Sequence, residues 1–83
     1  MNNIVNKEDI IKIIEEVSDF DLSKDIDIDL IEKNILDSLA FIELISELED
    51  RYDVEIQPTK IKLDVWRKVD SIVELVETLI KSK

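Results

Sequence analysis

In Asp37-Ser38-Leu39 a serine stands where a stretch without helical period gives way to an acidic amphipathic run. A hydroxyl becomes a nucleophile when a neighbouring base takes its proton, and this chain has no His and no Cys. The start of a helix offers something else: unpaired backbone N–H groups and the positive end of the helix dipole, both of which favour a phosphate. Such a serine suits a phosphodiester better than catalysis. It reads as a residue that another protein modifies, on a chain that carries rather than converts.

Other chemistries find less support. The usual Cys and His ligands of zinc and haem are absent. Asp25, Asp27 and Asp29 have the alternate spacing of calcium-loop ligands, but Leu30 stands where that loop needs Gly and Leu36 where it needs Glu. The triplet therefore reads as a solvated acidic loop, with a weak divalent-cation site as the alternative; no metal is expected. Carboxylates abound, yet no pattern places two of them together in a cleft, so the chain reads as a non-enzyme.

The totals narrow the class further. Eighty-three residues make one domain, expected to span 1–83, with a modest core. Apolar residues are 45% of the chain, enough for a folded interior, while Gly 0 and Pro 1 leave few breakers and favour helices. Acidic residues number 21 against 11 basic ones, a net charge of −10. That balance repels nucleic acid and anionic membrane surfaces and suits basic protein partners. No apolar run reaches membrane-spanning length, and Met1 to Asp9 lacks the basic and apolar regions of a signal peptide. The expectation is a cytoplasmic monomer without membrane insertion.

The elements that must position Ser38 follow from periodicity. Asn6 is a fitting N-cap, and Ile10, Ile13, Ile14 and Val17 give the i, i+3, i+4, i+7 stripe of a first helix. From 18 to 36 there is no sustained period; a long extended loop is expected to turn Phe20, Leu22, Ile26, Ile28 and Leu30 inward, with one helical turn over Asp29 to Lys33. Asn34 is expected at positive φ. A second helix runs from Ser38 to Tyr52 on a stripe of Phe41, Leu44, Ile45, Leu48 and Tyr52. A short helix is expected between Thr59 and Trp66. The last helix covers 68–81, with Ile72, Val73, Val76, Leu79 and Ile80 inward and Lys81 and Lys83 at the negative end of its dipole. The fold class is all-α: a small bundle of three main helices plus one short one, with the long loop after the first.

At about 100° per residue, the face of the second helix opposite its apolar stripe gathers Glu43, Glu47 and Asp50. Leu39 falls among these acids and Ile42 at their edge. Apolar spots ringed by uncompensated carboxylates suit brief docking of a basic partner; a merely solvated face is the plainer alternative. Ser38 and Asp37 compete for the N-cap. If Asp37 takes it, Ser38 becomes the first helical residue with its hydroxyl free.

The run Leu36-Asp37-Ser38-Leu39-Ala40-Phe41-Ile42-Glu43-Leu44 resembles the acyl carrier protein superfamily, whose signature is Asp-Ser-Leu before an acidic amphipathic helix. The resemblance covers most of the chain and implies an acyl-carrier-like bundle. It implies that Ser38 carries 4′-phosphopantetheine, attached by a phosphopantetheinyl transferase from coenzyme A, with Asp37 as its characteristic neighbour. It also implies that Leu39, Ile42, Glu43 and Glu47 meet partner enzymes. Within the superfamily, residues 42–53, Asp64-Val65-Trp66 and Ile72-Val73-Glu74 are most similar to the D-alanyl carrier proteins of teichoic acid modification. This implies D-alanine held as a thioester, an ATP-dependent D-alanine ligase as loading enzyme and a downstream acyltransferase. Carriage of fatty acid, polyketide or peptide intermediates is the alternative, and an unmodified helical adaptor a further one. Fatty-acid carriers usually place an acid where this chain has Ala40, and peptidyl carriers usually have glycines before the serine. Asn34 replaces a frequent glycine, and Phe41 is bulkier than the Thr often found in the subgroup, which reshapes the space beside the arm.

Overall fold

Side-chain oxygens open the first two helices, and left-handed aspartates close them. In the computed structural model, which describes residues 5–82, α1 is Lys7–Ser18, α2 is Ser38–Tyr52 and α3 is Val69–Lys81. Asn6 Oδ1 accepts the Glu8 N–H at 2.9 Å, as its role of N-cap requires. With no glycine in the chain, Asp19 and Asp53 take the positive φ at the two helix exits, 58° and 54°. A carboxylate then fixes each departing strand of chain: Glu15 Oε2 accepts from Leu22 N–H at 2.7 Å and Glu49 Oε2 from Ile56 N–H at 2.8 Å. Glutamate, left-handed aspartate and buried aliphatic thus recur at the same spacing after α1 and after α2.

The loop from α1 to α2 is not extended but is built from successive tight turns. Asp21, Asp25 and Asp29, four residues apart, accept through Oδ1 from the N–H groups of Ser23, Asp27 and Ile31 at 2.9, 3.1 and 3.0 Å. Side chain-to-backbone turns of this kind are what aspartate offers in place of regular structure. Leu22 and Leu30 are fully buried and Ile26 and Ile28 half-buried, as expected. Phe20 is not: it is 40% exposed, because the exit bond from Glu15 anchors Leu22 and leaves Phe20 on the outer side of the bend. The expected helical turn is present, with Lys33 N–H on Asp29 C=O at 3.1 Å, and Asn34 has φ 58°. Both Ile35 and Leu36 N–H then donate to Leu30 C=O, which folds the chain back toward α2.

The expected short helix between α2 and α3 is two single 3-10 turns, Pro58–Lys60 and Leu63–Trp66. Ile61 and Lys62 between them are extended, so no continuous helical ladder forms. Lys68 is also extended, and α3 starts one residue later than the expected 68. Lys81 sits in its last turn; the expectation for Lys83, and part of the reading of Met1 to Asp9, lies outside the described residues. Helix α1 packs against both α2 and α3, and the turn at 63–66 packs on α3. The enclosed core is aliphatic apart from Trp66, with Ile10, Ile13, Ile14, Leu44, Leu48 and Ile72 fully buried. No helix among the described residues is long and apolar enough to cross a membrane.

Candidate functional site

Asp37 settles the competition at the start of α2. Its backbone is extended (φ −75°, ψ −177°) and its Oδ1 accepts from Ala40 N–H at 2.9 Å, while its C=O accepts the first helical bond from Phe41 N–H at 2.8 Å. Ser38 is therefore the first helical residue, and it is exposed. Its hydroxyl has no hydrogen-bond partner among the described residues. The N–H groups of Ser38 and Leu39 are likewise left over by the cap, since only those of Ala40 and Phe41 are engaged. A free hydroxyl beside two unpaired N–H donors at a helix N-terminus is a fitting seat for an O-linked phosphate.

The segment before Ser38 is held by contacts distant in sequence. Leu30 N–H donates to Arg67 C=O at 2.7 Å, Arg67 Nη1 reaches Asp29 Oδ2 at 3.1 Å, and Lys68 Nζ donates to Asp27 C=O. A hydrogen bond from the Glu32 backbone N–H, with the Arg67 guanidinium and the Ile31 N–H after it, holds the Asp29 carboxyl below its ordinary range against partial burial. Bonds to Asp64 and Asp29 push Arg67 up. Of the acidic triplet, the Asp25 and Asp29 carboxylates thus serve the loop's own turns and clamp while Asp27 contributes its backbone carbonyl; among the described residues no cluster of His, Cys, Asp and Glu is arranged to hold a metal ion.

The outer face of α2 matches the helical-wheel expectation with one correction. Leu39 and Ile42 are 67% and 64% exposed, and Glu43 and Asp50 are exposed beside them. Glu47 is not uncompensated: Arg51 one turn on lies 3.6 Å away and also approaches Glu16 of α1 at 3.7 Å. Arg51 reaches both acids because they flank it across the α1–α2 junction, so Glu43 and Asp50 are the acids of this face with no ion-pair partner among the described residues.

On the other side of Ser38, an open groove of about 240 Å³ is lined by Ile31, Leu36, Asp37, Ser38, Phe41 and Leu63. Phe41 forms its wall toward the interior and meets Trp66 edge-to-face, with ring centroids 5.0 Å apart. Trp66 is buried, and its Nε1 finds no acceptor among the described residues. Sequence reasoning missed Leu63, an exposed leucine between Lys62 and Asp64 in a segment without period, and missed that Ile31 comes beside the serine. No pattern signalled either, since both are placed by the loop-to-turn clamp.

Residues 8–79 match the family model described as "Phosphopantetheine attachment site". The chain belongs to the phosphopantetheine-attachment family. Among similar proteins, the "D-alanyl carrier protein" of Streptococcus sanguinis (strain SK36) is 40% identical over 73 residues, 88% of this chain and 92% of that protein. That of Streptococcus gordonii is 38% identical over the same shares, and that of Leuconostoc mesenteroides 32% identical over 74 residues, 89% of this chain and 95% of that one. Members of this family are carriers that serve separate enzymes and do not themselves catalyse, and the covalent phosphopantetheine is borne on a serine.

Proposed function

We propose that Ser38 is the attachment point and that this carrier holds D-alanine for transfer toward a cell-envelope polymer of the teichoic acid type. The carrying observation is the exposed hydroxyl of Ser38, without a hydrogen-bond partner among the described residues, on the first residue of α2, with Asp37 doing the capping in its place. When attached, 4′-phosphopantetheine supplies the thiol on which the cargo rides as a thioester. The similarity to D-alanyl carrier proteins supports the choice of cargo. The chain's residues do the rest. Asp37 keeps the helix start rigid, the Ser38 and Leu39 N–H groups would be available to an attached phosphate, and Leu39 and Ile42 give small apolar anchors to a transferase, an ATP-dependent D-alanine ligase and an acyltransferase in turn. Glu43 and Asp50, with Glu47 in a smaller part, draw basic partners and speed encounter. A patch this small favours the quick release a shuttle needs, and the tether raises the cargo's effective concentration at each partner. The protein acts as a single-domain cytoplasmic monomer.

Intact mass after incubation with a phosphopantetheinyl transferase and coenzyme A tests the attachment: the wild type gains the arm and Ser38→Ala does not, while both keep the same helical circular dichroism. An unchanged wild-type mass under an active transferase overturns the assignment. Loading of the holo protein with D-alanine, against malonyl and fatty acyl donors, tests the cargo. Charge reversal at Glu43 slows loading more at low salt than at high salt, and more than reversal at Glu47, whose charge Arg51 already offsets. Equal rates across salt and between the two variants would remove the steering role.

A further inference from the structure

The surface changes sign from one side of Ser38 to the other. On the α2 side, Glu43, Glu47 and Asp50 accompany the exposed Leu39 and Ile42, and Arg51 is the helix's one base. On the other side stands Leu63, which lines the groove next to Ser38 and is itself 55% exposed. Residues 57–68 around it carry four bases, Lys60, Lys62, Arg67 and Lys68, against the single acid Asp64. Two of those bases hold the fold: Arg67 binds Asp64 at 2.9 Å and Asp29 at 3.1 Å, and Lys68 donates to Asp27 C=O. Lys60 and Lys62 do not. Both are exposed and without an ion-pair partner among the described residues, and Asp64, the nearest acid in sequence, is already taken by Arg67. Their backbones are nonetheless fixed, with Lys60 N–H on Gln57 C=O and Val65 N–H on Lys62 C=O, both at 3.0 Å. On a chain of net charge −10, two uncompensated lysines beside an exposed leucine oppose the prevailing field.

We propose that Lys60 and Lys62, with Leu63, form a second docking surface that takes acidic side chains of the ligase that loads the carrier, while α2 takes its basic ones. This rests on the cargo reading above. A patch of one sign attracts a partner but leaves it free to turn about the contact; patches of opposite sign on either side of Ser38 fix one orientation. An enzyme that acts at the far end of a tether needs that orientation. Exposed ion pairs are individually weak, so the second surface orients the carrier without slowing its release.

The test follows loading of holo protein, verified by intact mass, with ATP, D-alanine and the D-alanine ligase at varied carrier concentration. Lys60→Glu and Lys62→Glu each exchange a positive for a negative charge. Were the overall field the only influence, the more acidic carrier would load faster. Docking on acidic side chains gives the opposite sign: kcat/KM should fall about threefold to fivefold for each variant at low salt, through KM rather than kcat, and the gap should narrow at high salt. Lys12→Glu makes the same exchange at an exposed lysine of α1 and should load at least as fast as the wild type. Far-ultraviolet circular dichroism should be unchanged in all three, the side chains being exposed. Lys60→Glu and Lys62→Glu carriers that load as fast as the wild type, or slow no more than Lys12→Glu, overturn the second surface and leave the carrier reading standing. A wild-type holo protein that the ligase does not load with D-alanine overturns both the cargo reading and this inference.

Discussion

Asp37 and Ser38 divide between them two tasks that either residue type performs elsewhere. The carboxylate accepts from Ala40 N–H, which leaves the neighbouring hydroxyl without a partner among the described residues at the most electropositive turn of α2. A Ser38 that capped its own helix would have to surrender that bond whenever its oxygen was modified. The division predicts separable effects. Asp37→Ala should lower stability by about 1 kcal/mol, the ordinary cost of a lost cap, read as a lower urea midpoint at unchanged slope. Ser38→Ala should leave that midpoint nearly unmoved. At the same scale, Arg51 shows how one cation edits a surface: two carboxylates that a helical wheel counts as free, Glu16 and Glu47, are drawn toward it.

Among the elements, the connections are more specified than the helices. Amphipathic stripes of Ile, Leu and Val are interchangeable in kind, but the exits from α1 and α2 each use a named carboxylate and a named left-handed residue. Lacking glycine, the chain places Asp19, Asn34 and Asp53 at positive φ. Asn34 is the most exacting, because the following Ile35 and Leu36 N–H groups both return to Leu30 C=O and so deliver α2 at the correct place. Asn34→Ala, which brings a β-carbon into the left-handed region without a compensating polar side chain, should cost about 1 kcal/mol in urea unfolding. Asn34→Gly should be close to neutral, relief of strain being offset by a freer unfolded chain. If alanine proves as stable as asparagine, backbone conformation does not limit this turn.

For the whole molecule, the clamp from Asp27 and Asp29 to Arg67 and Lys68 joins the loop before Ser38 to the turn that carries Leu63 and Trp66. Both walls of the groove are therefore set by one cross-link between segments almost forty positions apart. Its pH dependence has a definite sign. The folded value of Asp29 is lowered, so the unfolded chain takes up that proton first as pH falls. The stabilising contribution is present above the ordinary carboxylate value and disappears as pH drops through the lowered one. The difference in urea midpoint between the wild type and Asp29→Asn should thus be largest near neutrality and close below about pH 4. Comparing the pair cancels the relief of self-repulsion that a chain of charge −10 gains on acidification. A difference that persists unchanged at low pH would show that the carboxylate's charge contributes nothing to the clamp.

By itself the sequence determined the three helices, the start of α2 at Ser38, the positive φ of Asn34 and the exposed acidic face with Leu39 and Ile42. Each of these follows from period, cap chemistry or backbone sterics within a few neighbouring residues. Only the tertiary structure decided that Phe20 lies outside, that the segment at 58–66 is two turns, that Glu47 is paired and that Leu63 and Ile31 meet beside the serine. Those outcomes depend on which distant carboxylate and guanidinium find one another once the core has closed, and no local spacing encodes that choice.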